Sequence, residues 1–433
     1  MRENALIASL GVLASATMAW LGLYGFAWND YEVEARPSFQ ALVHGHLLLF
    51  LRDAPVYGGS LVERAPFALI PSVWGGGELA VYRMVALPCL LAAAGLAVWL
   101  VAEMRSQGRS RLARAIALGV CVANPLTLRA LELGHPEDLL GGVLCVAAVL
   151  LALRGRPLWA GLVLGAAIAN KEWAVLAVGP VLLALPARRA LCLAVAATVT
   201  GLVLAPLALV GSGAFLASAR GTAAPTSAIF QPWQVWWFLG HHGPAVHGLF
   251  GALKPGFRTA PGWVGRVSHP LIVALSLPLA GLFWWRRRDE TPPATDALGL
   301  LALLLLLRCM LDTWDVSYYP LPFLLALLAW ETVGAPLAST PVNRRLPLLA
   351  ASCTALAWVS FQWLPVHAGP DAQSVFFLAW TVPLAAALGV RLYAPQTAAR
   401  LLGRAGLAFA RAGALTAPNG ALRRPRSAPW ATR

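Results

Sequence analysis

The chain has 433 residues, of which 59% are hydrophobic and 12% charged, about half the charged share of ordinary soluble domains. A soluble fold of this length could not bury so much apolar surface, so the composition excludes that class and points to an integral membrane protein. The net charge of +14 is nearly all arginine, Lys171 and Lys254 being the only lysines. The arginines stand in short blocks between apolar runs, which marks them as topology determinants and argues against a nucleic-acid partner.

In chain order, the first apolar run, 5–27, follows Arg2-Glu3 and is too long for a signal-peptide core, so it reads as a retained first span. Arginine blocks recur at 105–114, 154/156, 188/189, 286–288, 344/345 and from 391 onward. Keeping every block on the cytoplasmic side requires two crossings between neighbours. The expected spans are 5–27, 80–102, 113–130, 138–153, 157–170, 173–187, 190–211, 268–285, 296–311, 318–334, 346–364 and 374–392. That is an all-α polytopic membrane protein of about 12 transmembrane helices, multi-pass in the plasma (inner) membrane, with both termini cytoplasmic. Segment 158–185 tests the count. As one long helix it would flip every later loop, so two short helices meeting at Asn170-Lys171-Glu172-Trp173 are expected, buried in protein or facing a cavity.

Two outer loops, 28–79 and 212–267, exceed ordinary connection lengths, as functional loops do. Stretches 37–51 and 61–74 of the first are amphipathic enough to lie as short helices along the interface. Residues 1–392 thus form one transmembrane domain. The tail, 393–433, is basic and free of acids, and is expected to be disordered and held near anionic lipid. The six cysteines sit in or beside apolar runs without a pairing or metal-binding spacing.

All eight histidines fall on the outer side of this topology, with most of the acids that are not beside an arginine block. Asp30, Glu32 and Glu34 follow the first span at alternate positions. They align on one side only if the chain is extended, since residues two apart do not share a helical face. Asp30, at the membrane exit, is the candidate general base, with Glu32 in reserve. Glu132-Leu133-Gly134-His135-Pro136-Glu137-Asp138 fits a helix start, where acids complement the helix dipole; His135 and Glu137 are alternatively substrate contacts. The HPED string alone does not make a metal site, and no cofactor is implied, the need for a divalent ion being left open.

Lys171 and Glu172 interrupt two apolar runs, where an unpaired charge costs on the order of 3 kcal/mol near the bilayer centre. A Lys171–Glu172 neighbour pair offsets part of this, and a lysine suits point-charge contact to a phosphate. The second outer loop has no acid but carries Arg220, Lys254, Arg258, Arg266 and several histidines, as a partner of anions would. Its run Gln231-Pro232-Trp233-Gln234-Val235-Trp236-Trp237-Phe238 suits the headgroup interface; Gln231 and Trp236 are candidate binding residues. Asp312 and Tyr318, in Asp312-Thr313-Trp314-Asp315-Val316-Ser317-Tyr318-Tyr319, stand at another outer boundary of the same cavity.

This order of features resembles the GT-C membrane glycosyltransferases. They are an acidic motif after the first helix, a GHPE-like string, short paired helices meeting at Lys171 and Trp173, and a Trp-rich outer loop. Within them the chain resembles glycosyltransferase family 87, whose members include actinobacterial mannosyltransferases using polyprenyl-phosphate-mannose. The resemblance covers most of 1–390. It implies a GT-C-like bundle, a polyprenyl-phosphate sugar donor, a glycolipid or glycan acceptor, transfer of a hexose such as mannose with inversion, and the base role for Asp30. The residue inventory agrees. A sugar phosphate leaves as an anion, so one carboxylate and several cations suffice, without the acid of a glycosidase. No Gly-rich nucleotide loop is present. The competing reading is a secondary transporter or lipid flippase, whose internal repeats and midplane charges the sequence lacks. A scaffold without activity leaves the outer charges unexplained.

Overall fold

The computed structural model describes residues 2–23, 30–55, 57–211, 230–242, 246–247, 253–288, 293–334, 345–398 and 400. The rest of the expected first span (24–27), Trp28, Asn29, Arg220 and most of the basic tail lie outside the described residues. Helix α1 (Arg2–Leu23) is followed by a helical turn at Tyr31–Ala35, then α2 (Arg36–Val43), α3 (Leu47–Arg52) and α4 (Gly58–Leu69), the last continued by a 3₁₀ turn at Ile70–Trp74. Next come α5 (Glu78–Ser106), α6 (Arg111–Val122), α7 (Pro125–Leu133), α8 (Pro136–Leu153) and α9 (Pro157–Asn170). A 3₁₀ turn (Glu172–Ala177) leads into α10 (Val178–Ala184) and then α11 (Arg189–Val210). After the second loop follow α12 (Gly262–Arg286), α13 (Asp296–Leu311), α14 (Pro320–Val333), α15 (Leu348–Trp358), α16 (Leu364–His367) and α17 (Pro370–Tyr393). The described strands are one antiparallel pair, Val246–His247 with Leu253–Lys254.

Apolar side chains leave the backbone no outside partner in a membrane, so these runs satisfy their own amides as helices. Local signals set the ends. Pro125, Pro136 and Pro157 each occupy a first helical turn, where proline forfeits no bond. Asn124 accepts from the Leu126 amide at 3.0 Å and Ser110 from the Ala113 amide at 3.1 Å.

Among the described residues, seven helical segments are long and apolar enough to cross a membrane: α5, α6–α7, α8, α11, α12, α15–α16 and α17. The other expected spans fall on α1, whose apolar stretch among the described residues is Leu10–Trp20, and on the shorter helices α9, α10 with its 3₁₀ turn, α13 and α14. Helix α8 is the centre, with 78% of its apolar window buried, whereas α11 has 11% and lies at the periphery. Helices α8, α13 and α14 form the core, and α5 and α9 pack on α8.

The chain between 157 and 184 leaves one end of the bundle and returns to it. A methyl group placed on Gly155 would lie 3.8 Å from Pro186. The segment 158–185 is therefore two short helices, and the break is at Lys171, whose backbone is extended (φ −151°, ψ 131°). Helix α9, with 14 residues, is about 21 Å long, less than the roughly 30 Å of a hydrocarbon core. Lys171 is thus held short of the far surface.

The arginine blocks gather at the end to which this hairpin returns. Arg154 donates to Glu103 at 3.3 Å. Arg109 donates to the Arg345 and Thr332 carbonyls at 3.3 Å. Arg287 reaches the Leu392 carbonyl at 3.1 Å and, with Arg391, flanks the buried Asp296.

Candidate active site

At the opposite end, five segments distant in sequence bring their charged groups together. The first is the turn after α1. Because Tyr31–Ala35 is helical and not extended, its three carboxylates diverge. Asp30 faces His135 (Oδ2–Nε2 3.3 Å), Glu32 is exposed 4.0 Å from Arg36, and Glu34 accepts from the Tyr57 hydroxyl at 2.5 Å. Asp30 and Glu32 therefore do not share a site.

The second is the junction of α7 and α8. Gly134 ends α7 with φ +88°, a left-handed conformation that glycine adopts freely. A β-carbon there would lie 2.5 Å from the Tyr31 amide nitrogen, so the acidic turn packs directly on this glycine. The sharp turn delivers His135 to the N-cap of α8, and Glu137 and Asp138 to its first turn. These acids do more than complement the helix dipole. Glu137 and Asp138 are 0% and 1% exposed, and each is enclosed by cations.

Glu137 is the hub. Its Oε1 lies 2.7 Å from His135 Nδ1 and 3.3 Å from Lys171 Nζ, and its Oε2 accepts from Arg64 Nη2 at 3.1 Å. Arg64, on α4, is fixed by Ser60 through its side-chain oxygen (2.8 Å) and its carbonyl (3.2 Å). Asn170 donates to the Glu137 carbonyl at 2.8 Å, tying the end of α9 to the start of α8. Asp138 lies 3.3 Å from Lys171 Nζ and 3.8 Å from Arg308 Nη2. Arg308 is itself sandwiched between the Trp173 and Tyr319 rings, at 4.6 and 4.2 Å.

Burial works against a charge on His135. The Glu137 carboxylate and the hydrogen bonds to Asp30 and Glu137 outweigh it and push the imidazole pKa up to about 9. The ring is then a cation donating to two carboxylates, Asp30 on one side and Glu137 on the other. Of these, Asp30 has its side chain 32% exposed while Glu137 is sealed. Tyr318 packs on the same imidazole, with ring centroids 4.7 Å apart.

Lys171 lies in this cluster, and its ion pairs are to residues of α8, not to its neighbour. Glu172 is exposed, and the ammonium is held by Glu137 and Asp138 with the Tyr57 ring 4.0 Å away. Ligand atoms of His135, Glu137 and Asp138 come within 4.8 Å of one another, a spacing that could hold a metal ion. The Lys171 ammonium lies 3.3 Å from both carboxylates, and a divalent ion bound to both would have to displace it.

The remaining expected residues form a wall along the end of α13, the helix that carries Arg308. Gln231 is nearly buried, and its backbone amide donates to the Thr313 carbonyl at 3.0 Å. Val235 N and Trp236 Nε1 donate to the Met310 and Leu311 carbonyls at 2.8 and 2.7 Å. The Trp-rich run is therefore zipped along the end of α13. Asp312 accepts from the Trp314 amide at 2.9 Å and lies 3.3 Å from His269; its pKa is lowered, since this histidine and Arg308 outweigh burial. Of the cations expected in the second loop, Arg258 is bound by both oxygens of Asp371 at 2.9 Å, and Lys254 lies over Phe257.

Arg64, Tyr57 and Arg308 complete the network without having been singled out in the sequence, and Asp138, read there as a helix-start acid, joins them. One signal marks Arg308. It is an arginine in an apolar run at the end opposite every arginine block, against the positive-inside pattern.

A family model described as Glycosyltransferase family 87 matches residues 59–310, more than half of the chain. The match takes in Arg64, His135, Glu137, Lys171 and Arg308 and begins after Asp30. No curated protein matches the chain.

Proposed function

Because the chain belongs to glycosyltransferase family 87, and is accordingly a membrane glycosyltransferase, we propose that the Asp30–His135–Glu137 cluster is where it transfers its sugar. In this reading the donor is a hexose, mannose foremost, on a polyprenyl phosphate, and the acceptor is a glycolipid or glycan. The site opens on the non-cytoplasmic face of the plasma membrane. Twelve crossings keep both termini, including the basic tail 393–433, in the cytoplasm, and residues 1–392 act as one transmembrane domain.

The observation that carries the reading is the unequal exposure of the two carboxylates on His135. Glu137 is 0% exposed and satisfied by three cations, whereas the Asp30 side chain is 32% exposed. Asp30 can therefore meet an acceptor hydroxyl, and Glu137 cannot. In the transfer, the acceptor oxygen attacks the anomeric carbon from the face opposite the phosphate, and the anomeric configuration inverts. Asp30 takes the hydroxyl proton as the C–O bond to the phosphate breaks and the polyprenyl phosphate leaves as an anion. No strong acid is needed for that leaving group.

His135, as a cation, orients Asp30, and Glu137 orients His135. Tyr318 supports the imidazole from the side. Lys171 has its ammonium engaged by Glu137 and Asp138. Its effect on the donor phosphate is then the positive potential it shares with Arg64 and Arg308, with no direct contact. Gln231, Trp236 and Asp312 shape the wall, and Glu32 and Glu172 lie outside the reacting centre.

The test is a donor panel. Membranes holding the protein are incubated with polyprenyl-phosphate sugars, nucleotide sugars and an acceptor lipid extract, and labelled product is followed. The mannose-bearing lipid donor is expected to give product. Transfer from a nucleotide sugar in the absence of any lipid-linked intermediate would overturn the proposal.

A further inference from the structure

With Lys171 engaged internally, a lipid donor's phosphate needs another cation at the same depth, and one guanidinium there lacks an acceptor. Arg83 is on the second turn of α5, next to Tyr82. The Tyr82 hydroxyl donates to the Leu131 carbonyl, and its ring packs on Tyr31 with centroids 4.4 Å apart. Those contacts tie this turn of α5 to the acidic turn, so Arg83 lies at the level of Asp30. The guanidinium carbon is 4.7 Å from the centroid of the Trp20 ring of α1. Its Nε and Nη2 are shielded from solvent and have no hydrogen-bond partner. No ion pair to Arg83 occurs among the described residues.

An arginine whose shielded N–H groups lack acceptors calls for an explanation, because native proteins rarely leave such donors unused. The guanidinium lies over the Trp20 ring, and the N–H edge of an arginine is the part that binds phosphate oxygens in pairs. The surroundings point to a lipid as the bearer of that phosphate. Trp20 is 56% exposed, and the turn leading into α5 presents Val73 and Trp74 at 85% and 60% exposure. Exposed tryptophans of this kind sit at the headgroup level of a bilayer.

We propose that Arg83, backed by Trp20, binds the phosphate of a lipid at the rim of the Asp30 site. Two lipids carry this chemistry, a membrane phospholipid and the lipid-linked donor. The second rests on the function proposed above; the first does not.

Native mass spectrometry of the full-length protein tests the site, using a short-chain polyprenyl phosphate, phosphatidylglycerol and uncharged diacylglycerol as probes. Wild type is expected to retain phosphate-bearing lipid over diacylglycerol, and Arg83→Gln to retain about tenfold less, the scale of losing a charge-assisted pair. Arg83→Lys, which keeps the charge but not the fork, should fall between them, and Trp20→Leu should weaken retention too. These two variants carry the test if Arg83→Gln does not fold. Preference for polyprenyl phosphate identifies a donor site, and equal retention of both phosphates identifies a headgroup site. Retention unchanged in Arg83→Gln, or diacylglycerol held as well as the phosphates, overturns the proposal. Since transfer is not read, a chain that used another donor would still show the phosphatidylglycerol result.

Discussion

The two ends of the bundle both collect arginine, and they use it differently. At one end Arg109 and Arg287 donate to carbonyls in the last turns of other helices, Thr332 of α14 and Leu392 of α17. Those carbonyls have no partner within their own helix, and the cation also meets the negative end of the helix dipole. At the other end Arg64, Lys171 and Arg308 face carboxylates of α8 across the core. A buried ion cluster is poor value for stability compared with apolar packing, because each ion must lose its water. The first end is what a membrane protein needs in order to fold and orient. The second holds charges that folding alone does not require, with one carboxylate left within reach of solvent.

The contrast can be broken most severely at Glu137. Glu137→Gln leaves three cations around a neutral group, and losing one partner of a buried pair destabilises by about 3–5 kcal/mol. Thermal unfolding in detergent should show a large fall, together with loss of transfer in whatever protein remains folded. A variant as stable as wild type would mean that the cluster is not coupled as its distances imply.

Next in size is Gly134→Ala. A β-carbon there meets the Tyr31 backbone at 2.5 Å and must adopt φ +88°. The acidic turn is displaced, and a shift of about 1 Å at a reacting group can lower the rate about a hundredfold. Activity should fall by that order while the protein still folds; unchanged activity would separate the turn from the chemistry.

A smaller effect is expected from pH. His135 is held as a cation by Glu137 and Asp30 against the effect of burial, with a pKa of about 9 against an ordinary 6.5. A raised pKa contributes stability that is fully present below about 6.5 and is lost as pH rises through about 9. Wild type should lose thermal stability over that window, and His135→Asn should lack that alkaline loss. The same slope in both would place the titrating group elsewhere.

The smallest is Arg109→Gln at the other end. It removes charge-assisted bonds to carbonyls, about 1–2 kcal/mol of stability, and is expected to leave the transfer rate of folded protein unchanged. A fall in rate at constant stability would show that the two ends are coupled.

Much of this plan was legible in the sequence, for reasons that differ by residue. The break at Lys171 followed from charge sidedness, because a single helix over 158–185 would have sent arginine blocks to opposite sides. Asp30 and His135 were singled out from their motifs along the chain. Their 3.3 Å contact was not, since it depends on the left-handed turn at Gly134. The separation of Asp30 from Glu32 was hidden because alternate carboxylates align in a strand, and this turn is helical. Arg64 sat in a stretch whose amphipathic pattern suggested an interfacial helix. The direction of one side chain within α4, toward Glu137, is a matter of packing that periodicity does not encode. The pairing of Lys171 with two residues more than thirty positions away, and not with its neighbour Glu172, is of the same kind.

The most direct measurement is transfer by Asp30→Asn, read together with donor binding, in purified protein given the lipid-linked sugar that wild type uses. The carboxylate is assigned to proton removal, and a positioned base contributes about 10²–10⁴ in rate. The variant should therefore bind donor normally and fold as wild type, with transfer reduced by that factor. Transfer at the wild-type rate would contradict the assignment of this cluster as the active site.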